Sequence, residues 1–156
     1  MTIRRAETKD TAKILDLLDQ VLNIHHSGRP DLFKGNTRKY TPRQLDEILK
    51  DEKRPIFVAE DSGGNVQGYA FCVITQHIND NILTDIKSLY IDDLCVDQNQ
   101  RESGTGKALY GYVLNYAKSI NCYNVTLNVW ACNTSAIKFY EKMGLKPQKI
   151  GMETIL

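Results

Sequence analysis

Apolar positions along this chain change period several times, and each change marks an element. Thr2 to Arg5 reads as a short strand. Thr8 or Asp10 can then cap a helix in which Ile14, Leu15, Leu17, Leu18, Val21 and Leu22 recur at helical spacing. His25 to Tyr40 is polar and holds Gly28, Pro30, Gly35 and Asn36, which predicts a long loop. Thr41-Pro42 opens a second helix, with threonine as cap, proline in the first turn and Leu45, Ile48 and Leu49 along it.

The pattern then shortens to that of strands. Ile56 to Glu60 is one, Asp61-Ser62-Gly63-Gly64-Asn65 is a hairpin turn, and Val66 to Thr75 is the returning partner. Thr84 to Val96 reads as the next strand. Lys107 to Lys118 is an amphipathic helix, and Asn124 to Trp130 a strand by its β-branched content. Asn133 to Leu145 returns to helical spacing, and Lys146 to Leu156 reads as a terminal strand. A strand, a helix and a further strand across residues 97 to 130 make a βαβ crossover. The expected architecture is a single mixed α/β domain over residues 1–156, with no internal repeat or linker.

Composition narrows the choices. The net charge is +1, so no global field favours nucleic acid or an anionic membrane. No apolar run approaches the ~20 residues of a membrane span. Met1-Thr2-Ile3-Arg4-Arg5 leads into polar sequence rather than an apolar signal core, so a cytoplasmic location is expected. Cys72, Cys95, Cys122 and Cys132 form no Cys-x-x-Cys pair, which argues against zinc and predicts no metal site. Three of the four sit in or beside apolar strands, where a free cysteine reads as a small hydrophobe.

The candidate chemistry centres on Arg101-Glu102-Ser103-Gly104-Thr105-Gly106, between the strand ending at Val96 and the helix from Lys107. A glycine-rich turn feeding a helix N-terminus offers unpaired N–H groups and the positive end of the dipole to an anion. Neither familiar nucleotide loop fits. A Walker loop needs glycine where Arg101 stands and Ser or Thr where Ala108 stands; the dinucleotide fingerprint needs glycine where Leu109 stands. What remains is an Arg-x-x-Gly-x-Gly turn after a strand.

That turn resembles the acetyl-CoA pyrophosphate loop of the GNAT N-acetyltransferases. Asn133 to Leu145, with Phe139-Tyr140-Glu141-Lys142-Met143-Gly144-Leu145, resembles the same family's asparagine-to-tyrosine helix, with leucine where phenylalanine is commoner. The resemblance is strong over residues 88 to 147 and extends to the N-terminal half by its plan of elements. It implies a curved mixed sheet flanked by helices, and acetyl-CoA as co-substrate. Leu94, Cys95 and Val96 would pair their backbone with the pantetheine arm, where a bulge splays this strand from its parallel neighbour. Arg101, Glu102, Ser103, Gly104, Thr105, Gly106 and Lys107 would surround the pyrophosphate. Glu102 and Ser103 depart from the commoner small or basic residues, and a carboxylate there must point outward.

Tyr140 is the candidate general acid. Asn133, Ala136, Ile137 and Tyr140 share one helix face. Asn133 would cap the helix or bond the pantetheine, and Ala136 would permit close approach. A phenol of pKa ~10 can protonate a thiolate of similar basicity. Asp92 and Asp93 are the candidate bases or anchors for a cationic acceptor. Successive strand residues face opposite sides, so only one of them is expected to face the acceptor. His25 and His26 are expected to shape the acceptor pocket, in a loop the family uses as a lid.

The leading expectation is therefore an N-acetyltransferase acting by direct attack of a primary amine, with a cationic small molecule as acceptor. A protein N-terminus is the alternative acceptor, and a non-catalytic acyl-CoA sensor the alternative from another class. The resemblance also suggests a homodimer paired through edge strands and C-terminal segments.

Overall fold

The computed structural model describes residues 1–100 and 103–156. Five strands form one sheet in the order β1 (Thr2–Arg5), β2 (Ile56–Glu60), β3 (Val66–Gln76), β4 (Lys87–Val96) and β5 (Asn124–Leu127). Neighbours are antiparallel except β4 and β5, which are parallel and joined by a helical crossover. The helices are α1 (Thr11–Gly28), α2 (Pro42–Leu49), α3 (Thr105–Ser119) and α4 (Thr134–Lys142). The mixed α/β expectation holds.

Each face of the sheet has its own core. Ile14, Leu17 and Leu18 of α1 and Leu45 and Ile48 of α2 pack on Ile56, Val58, Tyr69 and Phe71. Leu109, Tyr110, Val113 and Ala117 of α3 pack on Phe57, Ala59, Ala70, Leu89 and Ile91. Along β2 the alternation is hidden, because both faces are covered and every position from Ile56 to Ala59 is buried. At the sheet's start, Arg4 donates to both oxygens of buried Asp10 and to Glu60, tying β1, β2 and the entry to α1.

Local chemistry explains the boundaries. The Thr41 hydroxyl accepts from Gln44 N and the Thr41 N–H donates to Gln44 Oε1, a reciprocal cap with Pro42 in the first turn. In the β2–β3 turn, Asp61 Oδ1 accepts from the N–H groups of Gly63 and Asn65, and Gly64 takes a φ of +80°.

Four expectations need correction. Helix α1 runs on through His25 and His26 to Gly28 instead of ending before a loop. Polarity does not break a helix; Pro30 does, by forcing Arg29 out of helical geometry to φ −141°, ψ 70°. Strand β4 begins at Lys87, not Thr84, because Asp80 Oδ1 accepts from the N–H groups of Ile82 and Leu83 and holds that stretch as a turn. Strand β5 stops at Leu127. Residues 146–156 form no strand: Pro147 lacks a donor, and Ile150, Met152, Ile155 and Leu156 meet no covering face.

Candidate active site

The site is built where β4 changes register. Phe71 of β3 pairs with Asp93 and Cys72 pairs with Ile91, so Asp92 is the extra residue of a β-bulge. Before the bulge, Leu89 and Ile91 face α3. After it, Leu94 and Val96 face α3, while Cys95 joins the α1 side. The parity has flipped, and both Asp92 and Asp93 fall on the face covered by α1 and α2. The strand-alternation expectation that only one of them faces that side is therefore overturned.

Three residues surround the pair. Tyr69, directly across from Cys95, donates from its hydroxyl to Asp93 Oδ2 at 3.0 Å. Lys39, in the loop between α1 and α2, donates from Nζ to Asp92 Oδ2 at 3.0 Å and also feels the charge of Asp93. Burial pushes the Asp93 carboxyl up to about 6, against the opposing pull of Lys39 and the Tyr69 hydrogen bond. Tyr140 reaches the same region from α4. Burial, and then the charge of Asp93, hold its phenol well above the usual tyrosine value, so it keeps its proton at neutral pH.

The bulge also opens the sheet. Pairing of β4 with β5 covers Ser88 to Ile91 and ends there. The Asp97 N–H donates to Gln67 O at 2.8 Å on the β3 side. By the alternation of an antiparallel ladder, Cys95 then turns its backbone to β3, and Leu94 and Val96 turn theirs to the gap beyond the end of β5. Of the three expected backbone residues, two line the gap. Cys95 is buried, with its Sγ 3.7 Å from the carbonyl of Leu17 in α1.

At the end of this gap stands the N-terminus of α3. Gly104 caps it with φ +84°, and among the described residues nothing lies within 4 Å of a Cβ built there. Gly106 serves packing: a Cβ would lie 3.3 Å from the Phe139 ring and 3.6 Å from Val96 Cγ2. The Ser103 hydroxyl donates to Gln100 O at 2.6 Å and lies 2.7 Å from the hydroxyl of buried Thr105. Lys107 follows in the first turn of the helix. Arg101 and Glu102 lie outside the described residues. Asn133 is the cap of α4, its Oδ1 accepting from Ala136 N at 3.2 Å.

Rings cluster at the end of α1. His25 lies 5.0 Å from Phe33, and Phe33 meets Trp130 edge-on at 5.2 Å. Burial first, then the charge of Lys39, lowers the His25 pKa. His26 donates from Nδ1 to Phe33 O at 2.7 Å and fixes the loop after α1. Among the described residues, no His, Cys, Asp and Glu side chains cluster as metal ligands. Sequence reasoning missed Lys39 and Tyr69. Lys39 sits in a stretch with no periodicity, and the partner of Tyr69 depends on a register that the bulge shifts.

The chain is similar to known acetyltransferases. The chain is 27% identical over 153 residues to glucosamine 6-phosphate N-acetyltransferase of Arabidopsis thaliana, covering 96% of this chain and 93% of that one. It is 28% identical over 142 residues to an N-alpha-acetyltransferase of Sulfurisphaera tokodaii, covering 89% and 80%. A crystal structure of a point mutant of the BH1408 protein from Bacillus halodurans superposes with a TM-score of 0.96 at 29% identity, covering 100% of this chain and 99% of that one. The sequence profile of the acetyltransferase (GNAT) family matches residues 18–145, the stretch that carries the bulge, the gap and Tyr140, and the chain belongs to that family.

Proposed function

We propose that this chain, acting as one domain over residues 1–156, transfers an acetyl group from acetyl-CoA to a primary amine by direct attack within a ternary complex. The observation that carries this reading is the bulge at Asp92. It turns two carboxylates to the α1 side and, at the same step of the strand, carries Leu94 and Val96 past the last pair with β5. The fit to an acyl-CoA co-substrate rests on that free backbone and on the open α3 N-terminus at Gly104. Leu94 and Val96 would bond the pantetheine arm. Ser103 to Lys107, with Arg101 and Glu102, would hold the pyrophosphate. Asn133 and Ala136 keep the α4 terminus close to the arm.

Asp93, poised near 6, takes a proton from the acceptor ammonium directly or through a water, and Asp92 draws the cation in. The amine lone pair then forms the N–C bond to the thioester carbonyl while the C–S bond breaks. Tyr140 gives its proton to the leaving sulfur, and the new amide nitrogen sheds its second proton to solvent. Cys95, buried in the core, is not an acyl carrier in this scheme.

The acceptor proposed is a cationic small molecule. The names of the relatives point to an amino sugar phosphate and to protein N-termini as acceptors of those proteins. A cytoplasmic location is proposed with it; no helix of the described residues is long and apolar enough to cross a membrane. We also propose a homodimer, in which a second copy covers the apolar tail from Ile150 to Leu156.

The test is free-thiol release from acetyl-CoA against polyamines, amino acids, amino sugars, aminoglycosides and N-terminal peptides. Release with the polyamines or aminoglycosides supports the proposal, and release with N-terminal peptides alone replaces the acceptor class. Acetyl-CoA binding without release from any amine points to a sensor.

A further inference from the structure

Lys39 stands where the ammonium of an acceptor is to be drawn. Its Nζ donates to Asp92 Oδ2 at 3.0 Å, acts on the charge of Asp93 and lies 5.4 Å from the centroid of the Tyr40 ring. Two carboxylates and an aromatic face are what would recognise a free primary ammonium. Here the chain supplies one of its own. The side chain remains 38% exposed, so it is held at the mouth of the site and not locked in the core. The other described lysines in ion pairs go elsewhere: Lys9 to Glu7, Lys13 to Asp16 and Asp97, and Lys50 to Glu47.

We propose that Lys39 is an internal acceptor, so that in the absence of an external amine the enzyme acetylates its own Lys39. The inference rests on the acetyl-transfer reading above. Lys39 Nζ loses a proton to Asp93, its lone pair forms the bond to the acetyl carbon, the C–S bond of acetyl-CoA breaks, and the nitrogen gives its second proton to solvent. The sulfur takes a proton from Tyr140, and solvent exchanges with Asp93 and Tyr140 to restore both. The products are an acetylated Lys39, free CoA and one proton released. The resulting amide carries no charge, so its pairing with Asp92 is lost. Both carboxylates are then left for an external cation. The modification would convert a plugged acceptor site into an open one.

The experiment incubates the intact protein with acetyl-CoA alone and follows its mass and its peptide map, at several protein concentrations. In parallel the same preparation is given the amine panel and assayed for thiol. The expected result is one acetyl group, at Lys39, gained at a rate per molecule that does not change with protein concentration. In Tyr140→Phe that rate should fall about a hundredfold, as for loss of a general acid. Acetylation of Lys39 no faster than of other lysines, or equally fast in Tyr140→Phe, would be chemical acetylation and would overturn the proposal. A rate that scales with protein concentration would overturn it too, as transfer between molecules. Thiol release with an external amine while Lys39 stays unmodified overturns this inference and leaves the acetyl-transfer reading standing. No transfer to Lys39 or to any amine removes both.

Discussion

The Tyr69 hydroxyl and the Asp93 carboxylate meet across two antiparallel strands, 3.0 Å apart, because a bulge has turned Asp93 toward the α1 side. Without the bulge, Asp93 would continue the row of Leu89 and Ile91 and point into the core under α3. Tyr69 is itself fully buried, so its hydroxyl needs this acceptor. The hydrogen bond orients the carboxylate, and burial sets its basicity.

The first prediction concerns pH. The ionised form of Asp93 is the one that accepts a proton, so turnover should rise with pH through about 6 and then level. Asp93→Asn should lose that limb and about a hundredfold or more in kcat. A pH–rate profile on an accepted amine measures both, and an unchanged limb in the variant would remove Asp93 as base.

The same group predicts a stability effect with a definite sign. The folded-state pKa of about 6 lies above the ordinary carboxylate value. The protonated form is therefore favoured by folding below about pH 4, and that gain is lost as pH rises through 6. Above that point the charge is a cost the native state carries. Asp93→Asn should raise stability by about 1–3 kcal/mol at pH 7.5 and change little at pH 4. Denaturant melts at the two pH values check it, and equal effects at both would refute the electrostatic account.

Tyr140→Phe removes one oxygen and keeps the ring that packs near Phe139, 5.2 Å away between centroids. Turnover should fall about a hundredfold, with acetyl-CoA affinity nearly unchanged. Calorimetry for binding and thiol release for turnover separate the two. A matched loss of affinity would make Tyr140 a binding residue instead of the acid.

Much of this was legible in the residues, for identifiable reasons. The caps at Thr41 and Asn133 and the turn at Asp61 use side chains that bond their own neighbours, so local sequence suffices. The hydrophobic rows of α1 and α3 likewise announce their buried faces. The bulge at Asp92 has no such signature: one extra residue is set by how β3 and β4 register together, and that decides where both aspartates point. Lys39 was illegible for a related reason, since a loop residue meets its partner only once the sheet exists. At the C-terminus, Ile150 and Met152 alternate like a strand, but alternation alone cannot supply a neighbour to pair with.

That tail gives a prediction on assembly. Ile150, Met152, Ile155 and Leu156 are each at least 78% exposed, an apolar run a lone chain leaves in water. Arg29 pairs with Glu153 and holds the segment against the end of α1. Removing residues 149–156 should convert a dimer to a monomer, seen by light scattering after gel filtration. The full chain running as a monomer at micromolar concentration would overturn the homodimer proposal.

Gly68 tests the backbone side of the site separately from its carboxylates. It lies opposite Val96 on β3, and a Cβ built there would fall 2.6 Å from the Cys95 carbonyl oxygen and 3.1 Å from Leu109 Cδ1. The first contact is with backbone, which cannot swing aside as a side chain can. Gly68→Ala must therefore shift β4 just where Leu94 and Val96 face the gap. The expected cost in stability is about 1–3 kcal/mol, as for other overpacked cores. Acetyl-CoA affinity should weaken as well, because the edge that would pair with the pantetheine arm has moved. The pH limb near 6 should stay in place if the Tyr69 hydroxyl keeps its bond to Asp93, since the clash is with the Cys95 backbone and touches neither side chain. Weakened acetyl-CoA binding with an unmoved pH profile would assign the two sides of β4 to the two substrates. An unchanged affinity in a folded, destabilised variant would show that the arm does not rest on this stretch of β4.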